Sequence, residues 1–184
     1  MKGLNKAATI ISKILEVFHW VGTALIAAAT ICSVAAPQWI NYFVSFDAKE
    51  CCGAELVVYG FVVQAPVVDG SVDMTTFLLF GIGATIIFVL MALVFRNVYL
   101  VFKKSENATP FQKENVCRLR KIGIFSIAVP VVAFVMRIIM RLIIGDAAEI
   151  TVGQDGIFMG IVVLCLTQYF SYGAALEEDV DGLV

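Results

Sequence analysis

Four apolar stretches alternate with polar ones along the chain, at about residues 10–36, 76–102, 122–144 and 156–176. Each is long enough to cross a hydrocarbon core of about 30 Å, which takes about 20 helical residues. Periodicity does not separate a buried strand from a buried helix in such runs, but length does. An open sheet in lipid would leave backbone groups without partners, so helices are required. The predicted fold is therefore all-α: a bundle of four transmembrane helices forming one membrane domain over 1–184. The long outer loop of 37–75 is extracytoplasmic and holds a candidate β-hairpin.

The first stretch has the look of a signal peptide, with Lys2, Lys6 and Lys13 ahead of it and Ser33-Val34-Ala35-Ala36 behind. It is longer than the 7–15 residues of a signal-peptide core. Pro37 follows the one plausible cleavage point, and Ile31 fits poorly before a lipoprotein cysteine at Cys32. A retained helix is expected.

Polar segments set the orientation. The loop of 103–121 carries Lys103, Lys104, Lys113, Arg118, Arg120 and Lys121 against Glu106 and Glu114. The loop of 37–75 has Lys49 against Asp47, Glu50, Glu55, Asp69 and Asp73, and that of 145–155 has three acids and no base. Short loops rich in Lys and Arg stay in the cytoplasm. The second loop and both termini are thus expected inside, and the first and third loops outside.

Within the first loop, residues 39–46 and 55–63 are rich in β-branched and aromatic residues, with Gly53 between them. That pattern predicts two short antiparallel strands. The alternative is an irregular cap anchored by Trp39 and Tyr42 at the interface. In the second loop, Thr109-Pro110-Phe111-Gln112 places a capping threonine, a proline at the first helical position and a glutamine three residues after the cap. A helix is predicted from there into the third span, kinked at Pro130. The basic face of 113–121 is expected at anionic headgroups.

Composition adds little beyond this. The chain is 60% hydrophobic with net charge -2, which gives no reason to expect direct nucleic-acid binding. Cys32 and Cys165 read as small core residues. Adjacent Cys51 and Cys52 leave open a redox pair or two ordinary thiols. There is no CxxC pair, and His19 stands alone, so neither metal nor cofactor is expected. No catalytic constellation or phosphate loop is found, and no enzymatic activity is expected.

Charges inside a membrane are costly and each is a candidate site. Glu16 and Arg96 lie at matched depths near the inner ends of spans one and two, Arg96 about 7 Å deep, which predicts an ion pair. It would serve as a structural clamp or as a gate, with Arg96 snorkelling as a further alternative. Arg137 and Arg141 share one face of span three toward the outside, Arg137 about 10 Å below the end. Internal pairing with loop acids and an outward pocket for an anionic or peptide ligand are both open. Arg137 is expected to reach a carboxylate or a backbone carbonyl. Gly156-xxx-Gly160 and Ala24-xxx-Ala28 permit close helix approach, within the chain or, as the alternative, between copies in a homo-oligomer.

The segment from Asn107 to Gly123, with its Pro110-Phe111, Glu114-Asn115, Leu119-Arg120 and Ile122-Gly123, and the tail Leu176-Glu177-Glu178-Asp179 resemble a bacterial membrane family, domain of unknown function 2975. The resemblance covers nearly the whole chain and implies four spans. It implies no catalytic residues. Members are often encoded beside a small helix-turn-helix regulator, so the resemblance implies a cytoplasmic regulatory partner. Candidate contacts for it are Phe111, Asn115, Arg118, Arg120 and Lys121 in the basic segment and Glu177, Glu178 and Asp179 in the tail. The functions in play are a sensor or regulator in the bacterial cytoplasmic membrane, a small transporter or channel, and an immunity protein against a membrane-active peptide.

Overall fold

The computed structural model describes residues 2–36, 38, 54–65, 67–68, 71–105, 111–145 and 149–181. Four long helices dominate: α1 (Lys2–Ala35), α2 (Met74–Lys104), α3 (Lys113–Ile144) and α4 (Asp155–Asp181). At 1.5 Å per residue they measure about 40–50 Å, longer than a hydrocarbon core. All four are long and apolar enough to cross a membrane. Five short strands accompany them: β1 (Ala54–Val58), β2 (Phe61–Ala65), β3 (Val67–Val68), β4 (Ser71–Val72) and β5 (Glu149–Val152).

The helix ends follow local chemistry. The α2 start is capped by Asp73, whose carboxylate accepts from the Thr76 backbone N–H at 2.8 Å and from its hydroxyl at 2.6 Å. Thr76 is fully buried, so the bond also satisfies a donor that water does not reach. Asp73→Ala is expected to cost about 1 kcal/mol, read as a lower melting temperature in detergent, and Asp73→Asn much less. The α2 end carries Lys103 and Lys104, which suit the negative pole of the helix. Gly145, at φ +73°, ends α3 in the left-handed conformation. The α3 start lies later than the sequence predicts. The Gln112 carbonyl accepts the first turn, from Asn115 at 2.8 Å and Val116 at 3.1 Å, so the helix begins at Lys113. Thr109 and Pro110 fall outside the described residues. Pro130 sits buried within α3, whose helical assignment runs through it.

Contacts gather the chain into two units. One comprises residues 20–89 and 129–155. Its sheet has the order β1-β2-β5, all antiparallel, with Val58 opposite Phe61 and Phe61 opposite Val152. This corrects the predicted hairpin. The turn falls at Tyr59-Gly60, inside the expected second strand, and residues 39–46 lie outside the described residues. Tyr59 and Gly60 both have positive φ, 43° and 77°, as a two-residue turn matching strand twist requires. Gly60 also lies against Gly153, which donates to the Gly60 carbonyl at 2.8 Å; a Cβ on Gly60 would meet the Gly153 Cα at 3.2 Å. Strand β5 was not foreseen in the third loop. Its four residues, Glu149–Val152, give too short a run to read alone, and pairing with β2 makes them a strand. Alternate residues of the sheet, Val58, Phe61, Val63 and Ile150, are buried, and Phe61 stacks on Phe80 of α2 at 5.6 Å. Gly83 of α2 accommodates Met136 of α3 and Phe61, while Gly81 accommodates Thr30 of α1.

The other unit comprises residues 1–19, 90–128 and 156–184. In it Gly123 of α3 and Gly160 of α4 bring their helices into backbone contact. A Cβ on Gly160 would meet the Gly123 carbonyl oxygen at 2.9 Å, and one on Gly123 would meet that of Gly160 at 3.1 Å. The glycine pair of the fourth span therefore serves packing within the chain, at Gly160. The alanines Ala24 and Ala28 are exposed.

The burial pattern of α1 is reversed relative to a protein in water. Its buried described residues are Ser12, Glu16, His19 and Ser33, whereas Ile10, Ile11, Ile14, Val17, Phe18, Leu25 and Ile31 are exposed. Helix α4 does the same, burying Gly160 and Thr167 and exposing Phe158, Met159, Ile161 and Leu166. Water would disfavour such surfaces, whereas lipid accepts them and disfavours exposed polar groups. The cysteines follow this logic. Cys32 and Cys165, expected in the core, are exposed on α1 and α4, as is Cys117 on α3. Cys51 and Cys52 lie outside the described residues.

Candidate functional site

In the unit of residues 1–19, 90–128 and 156–184, polar groups concentrate in two places. The first is the stripe Ser12, Glu16 and His19, whose spacing of four and three puts them on one face of α1. Glu16 is 6% exposed and pairs with Lys13 one turn earlier, at 2.9 Å. Ser12 donates to the Ala8 carbonyl at 2.7 Å. His19, 2% exposed, has Nδ1 2.7 Å from the Leu15 carbonyl; a carbonyl only accepts, so Nδ1 carries the proton. Its ring lies against Phe95 at 4.9 Å. The sequence shows His19 as an isolated residue; its four-and-three spacing from Glu16 and Ser12 was the available signal.

The predicted Glu16–Arg96 pair is not formed. Glu16 turns to Lys13, and Arg96 is exposed on α2. Matched depth does not fix the direction a residue faces around its helix: the neighbour of Arg96, Phe95, packs on His19, while Arg96 itself does not reach α1. Among the described residues Arg96 has no ion pair.

The second concentration is the charged end of the same unit. Lys113, the first residue of α3, pairs with Glu178 near the end of α4 at 2.7 Å. Phe111 packs on Phe170 at 5.4 Å and fills the space left by Gly173. Beside them a groove of about 190 Å³ is lined by Lys113, Val116, Ser171, Ala174, Ala175 and Glu178. Ahead of the apolar stretch 122–144, Glu114 receives Lys104, with Arg118 at 3.8 Å. The hydrogen bond from Lys104 and its charge hold the Glu114 carboxyl below the ordinary glutamate range, and Arg118 adds to this. Any stabilisation from that shift is present at neutral pH and fades as pH falls through the lowered value. Arg120 and Lys121 are exposed, with no ion pair among the described residues. Glu177 is half-buried and Asp179 exposed.

One expected partner contact is corrected. Asn115 is fully buried, with Nδ2 3.4 Å from the Ser105 hydroxyl of the preceding segment, so it holds the segment together and offers no surface. It lies in the first turn of α3, where its amide faces Ser105 just beyond the end of α2. Lys113 and Ser105 were not singled out from the sequence; their partners lie 65 and 10 residues away.

In the unit of residues 20–89 and 129–155, Arg137 is half-buried and Arg141 exposed. The carboxylate or carbonyl expected on Arg137 is not found among the described residues. Of the acids in the flanking loops, Asp73 is engaged in capping α2, and Asp69 and Asp146 lie outside the described residues. Among the described residues no group of three or more His, Cys, Asp or Glu is placed to hold a metal ion. No family model matches the chain, and no curated protein or solved structure matches it significantly.

Proposed function

We propose that this chain is a non-enzymatic regulatory protein of the bacterial cytoplasmic membrane, with both termini inside, that signals to a cytoplasmic protein. The excess of Lys and Arg in 103–121, against acidic outer segments, supports the orientation. The observation that carries the reading is the contact of the basic segment with the acidic tail, through Lys113–Glu178 and Phe111–Phe170. Both charged side chains are largely exposed, at 75% and 64%, so the pair is worth about 0–1 kcal/mol and a partner can replace it. The motif resemblance supports a small helix-turn-helix regulator as that partner, contacting Arg120, Lys121 and Asp179 beside the opened pair. The outer sheet and α2–α3 ends would receive the stimulus.

Affinity purification of the tagged chain from crosslinked membranes tests this. A helix-turn-helix protein identified by mass spectrometry should accompany it, with Lys113→Glu changing its yield severalfold and Lys113→Glu with Glu178→Lys returning it toward the original level. Yields that ignore both variants, or no such protein at all, remove the reading.

A further inference from the structure

We infer that Arg96, Tyr99 and Lys103 of α2, with Lys13 of α1, form a binding site for the phosphate of an anionic phospholipid. Residues 96, 99 and 103 are spaced by three and four, so they follow one face of the helix. Arg96 and Lys103 are exposed on that face. The Lys13 and Lys103 ammonium groups converge on the Tyr99 ring, 5.0 and 5.4 Å from its centre. Two cations from different helices thus meet at one aromatic ring, a residue type favoured at the level of lipid headgroups. Arg96 lies eight residues before the end of α2, about 12 Å along the axis, and about 10 Å from Lys103. Its guanidinium stays charged at any working pH. In hydrocarbon it must extend toward an anion, and the direction of Lys103 is the direction of the nearer membrane surface.

What that anion is follows from charge. Glu16 is the single acid in the four apolar stretches, and it is buried against Lys13. A second copy of the chain therefore presents no other carboxylate at the depth of Arg96. A lipid phosphate lies at the level of Lys103 in every leaflet, toward which Arg96 extends, and a guanidinium and two ammonium groups suit its oxygens. The inference rests on the membrane reading and is independent of the regulatory partner.

The test uses the full chain purified in detergent. Native mass spectrometry after exposure to equal amounts of phosphatidylglycerol and phosphatidylcholine counts the lipids retained. Phosphatidylglycerol should be preferred. Arg96→Gln and Lys103→Gln should each lower that preference about fivefold, as expected for one lost cation at an anionic surface. Arg96→Lys should retain most of it, which guards against a glutamine variant that fails to fold. Lys6→Gln removes an exposed charge outside the cluster and should change nothing. Equal retention of the two lipids overturns the inference. So does an equal loss with Lys6→Gln, which means diffuse attraction, or displacement by millimolar glycerol phosphate, which means a site for soluble anions. A second protein retained in place of lipid and lost with Arg96→Gln also overturns it, in favour of an acidic partner helix. Extraction of the wild-type chain from membranes by alkaline carbonate would instead remove the membrane reading itself.

Discussion

Glu16→Lys is expected to abolish accumulation of folded protein, and Lys13→Glu with Glu16→Lys to restore most of it. The Glu16 carboxylate is almost fully buried and is held by Lys13 at 2.9 Å. Reversing its charge puts a buried ammonium group, which no water screens, against that of Lys13. Removing one partner of a buried pair costs about 3–5 kcal/mol; Lys13 is half-exposed, so the loss should lie near the lower figure. That is a large part of the stability of a small domain. Glu16→Gln keeps an acceptor and adds no charge, so its effect should be much smaller. The readout is the monodisperse peak of a fluorescent fusion on size exclusion. The exchange Glu16→Arg with Arg96→Glu is the discriminating control and should not rescue. Rescue by that exchange, without rescue by the Lys13 exchange, would put Arg96 back as the partner of Glu16.

The second large effect is expected at the α3–α4 contact. Gly160→Val should destabilise the protein by at least about 2–3 kcal/mol, because its side chain must displace backbone. A Cβ there meets the Gly123 carbonyl oxygen at 2.9 Å and the Ile127 backbone nitrogen at 3.1 Å, besides the Ile127 side chain. A flexible side chain can move away; a carbonyl inside a helix cannot without breaking its hydrogen bond. Gly3→Val, on α1 where a Cβ would meet nothing within 4 Å, is the comparison. Thermal unfolding in detergent should separate the two, with Gly160→Val melting well below Gly3→Val. Equal melting temperatures would mean that the helices part without cost.

A spacing pattern is weaker evidence than a contact. Gly156-xxx-Gly160 reads as a unit, yet the glycine facing Gly160 is Gly123, 37 positions away in the chain by subtraction. Gly81 and Gly83, too weak a signal in sequence to use, face Thr30, Met136 and Phe61. The misplaced hairpin has a similar origin. Residues 55–63 form one apolar run, and the break at Tyr59-Gly60 is a two-residue turn whose left-handed backbone is supported by Gly153. Sequence gives the apolar run; a residue from another loop helps fix where it bends.

Sequence by itself determined the four helices and their approximate limits, because a hydrocarbon core demands about 20 apolar residues and satisfied backbone bonds, and both are local properties. It also identified the charged residues worth asking about. It did not determine the direction each faces. Glu16 turns inward and Arg96 outward, Asn115 is buried while Arg120 beside the same segment is exposed, and Cys32 and Cys165 face out. In a span that is apolar on every side, composition offers no amphipathic stripe to orient the helix. Packing decides instead, through the few small residues that let backbones meet and the few polar ones that must be covered. The tertiary structure alone therefore separated the buried stripe of Ser12, Glu16 and His19 from the outward Arg96 of α2, although all four lie in apolar stretches.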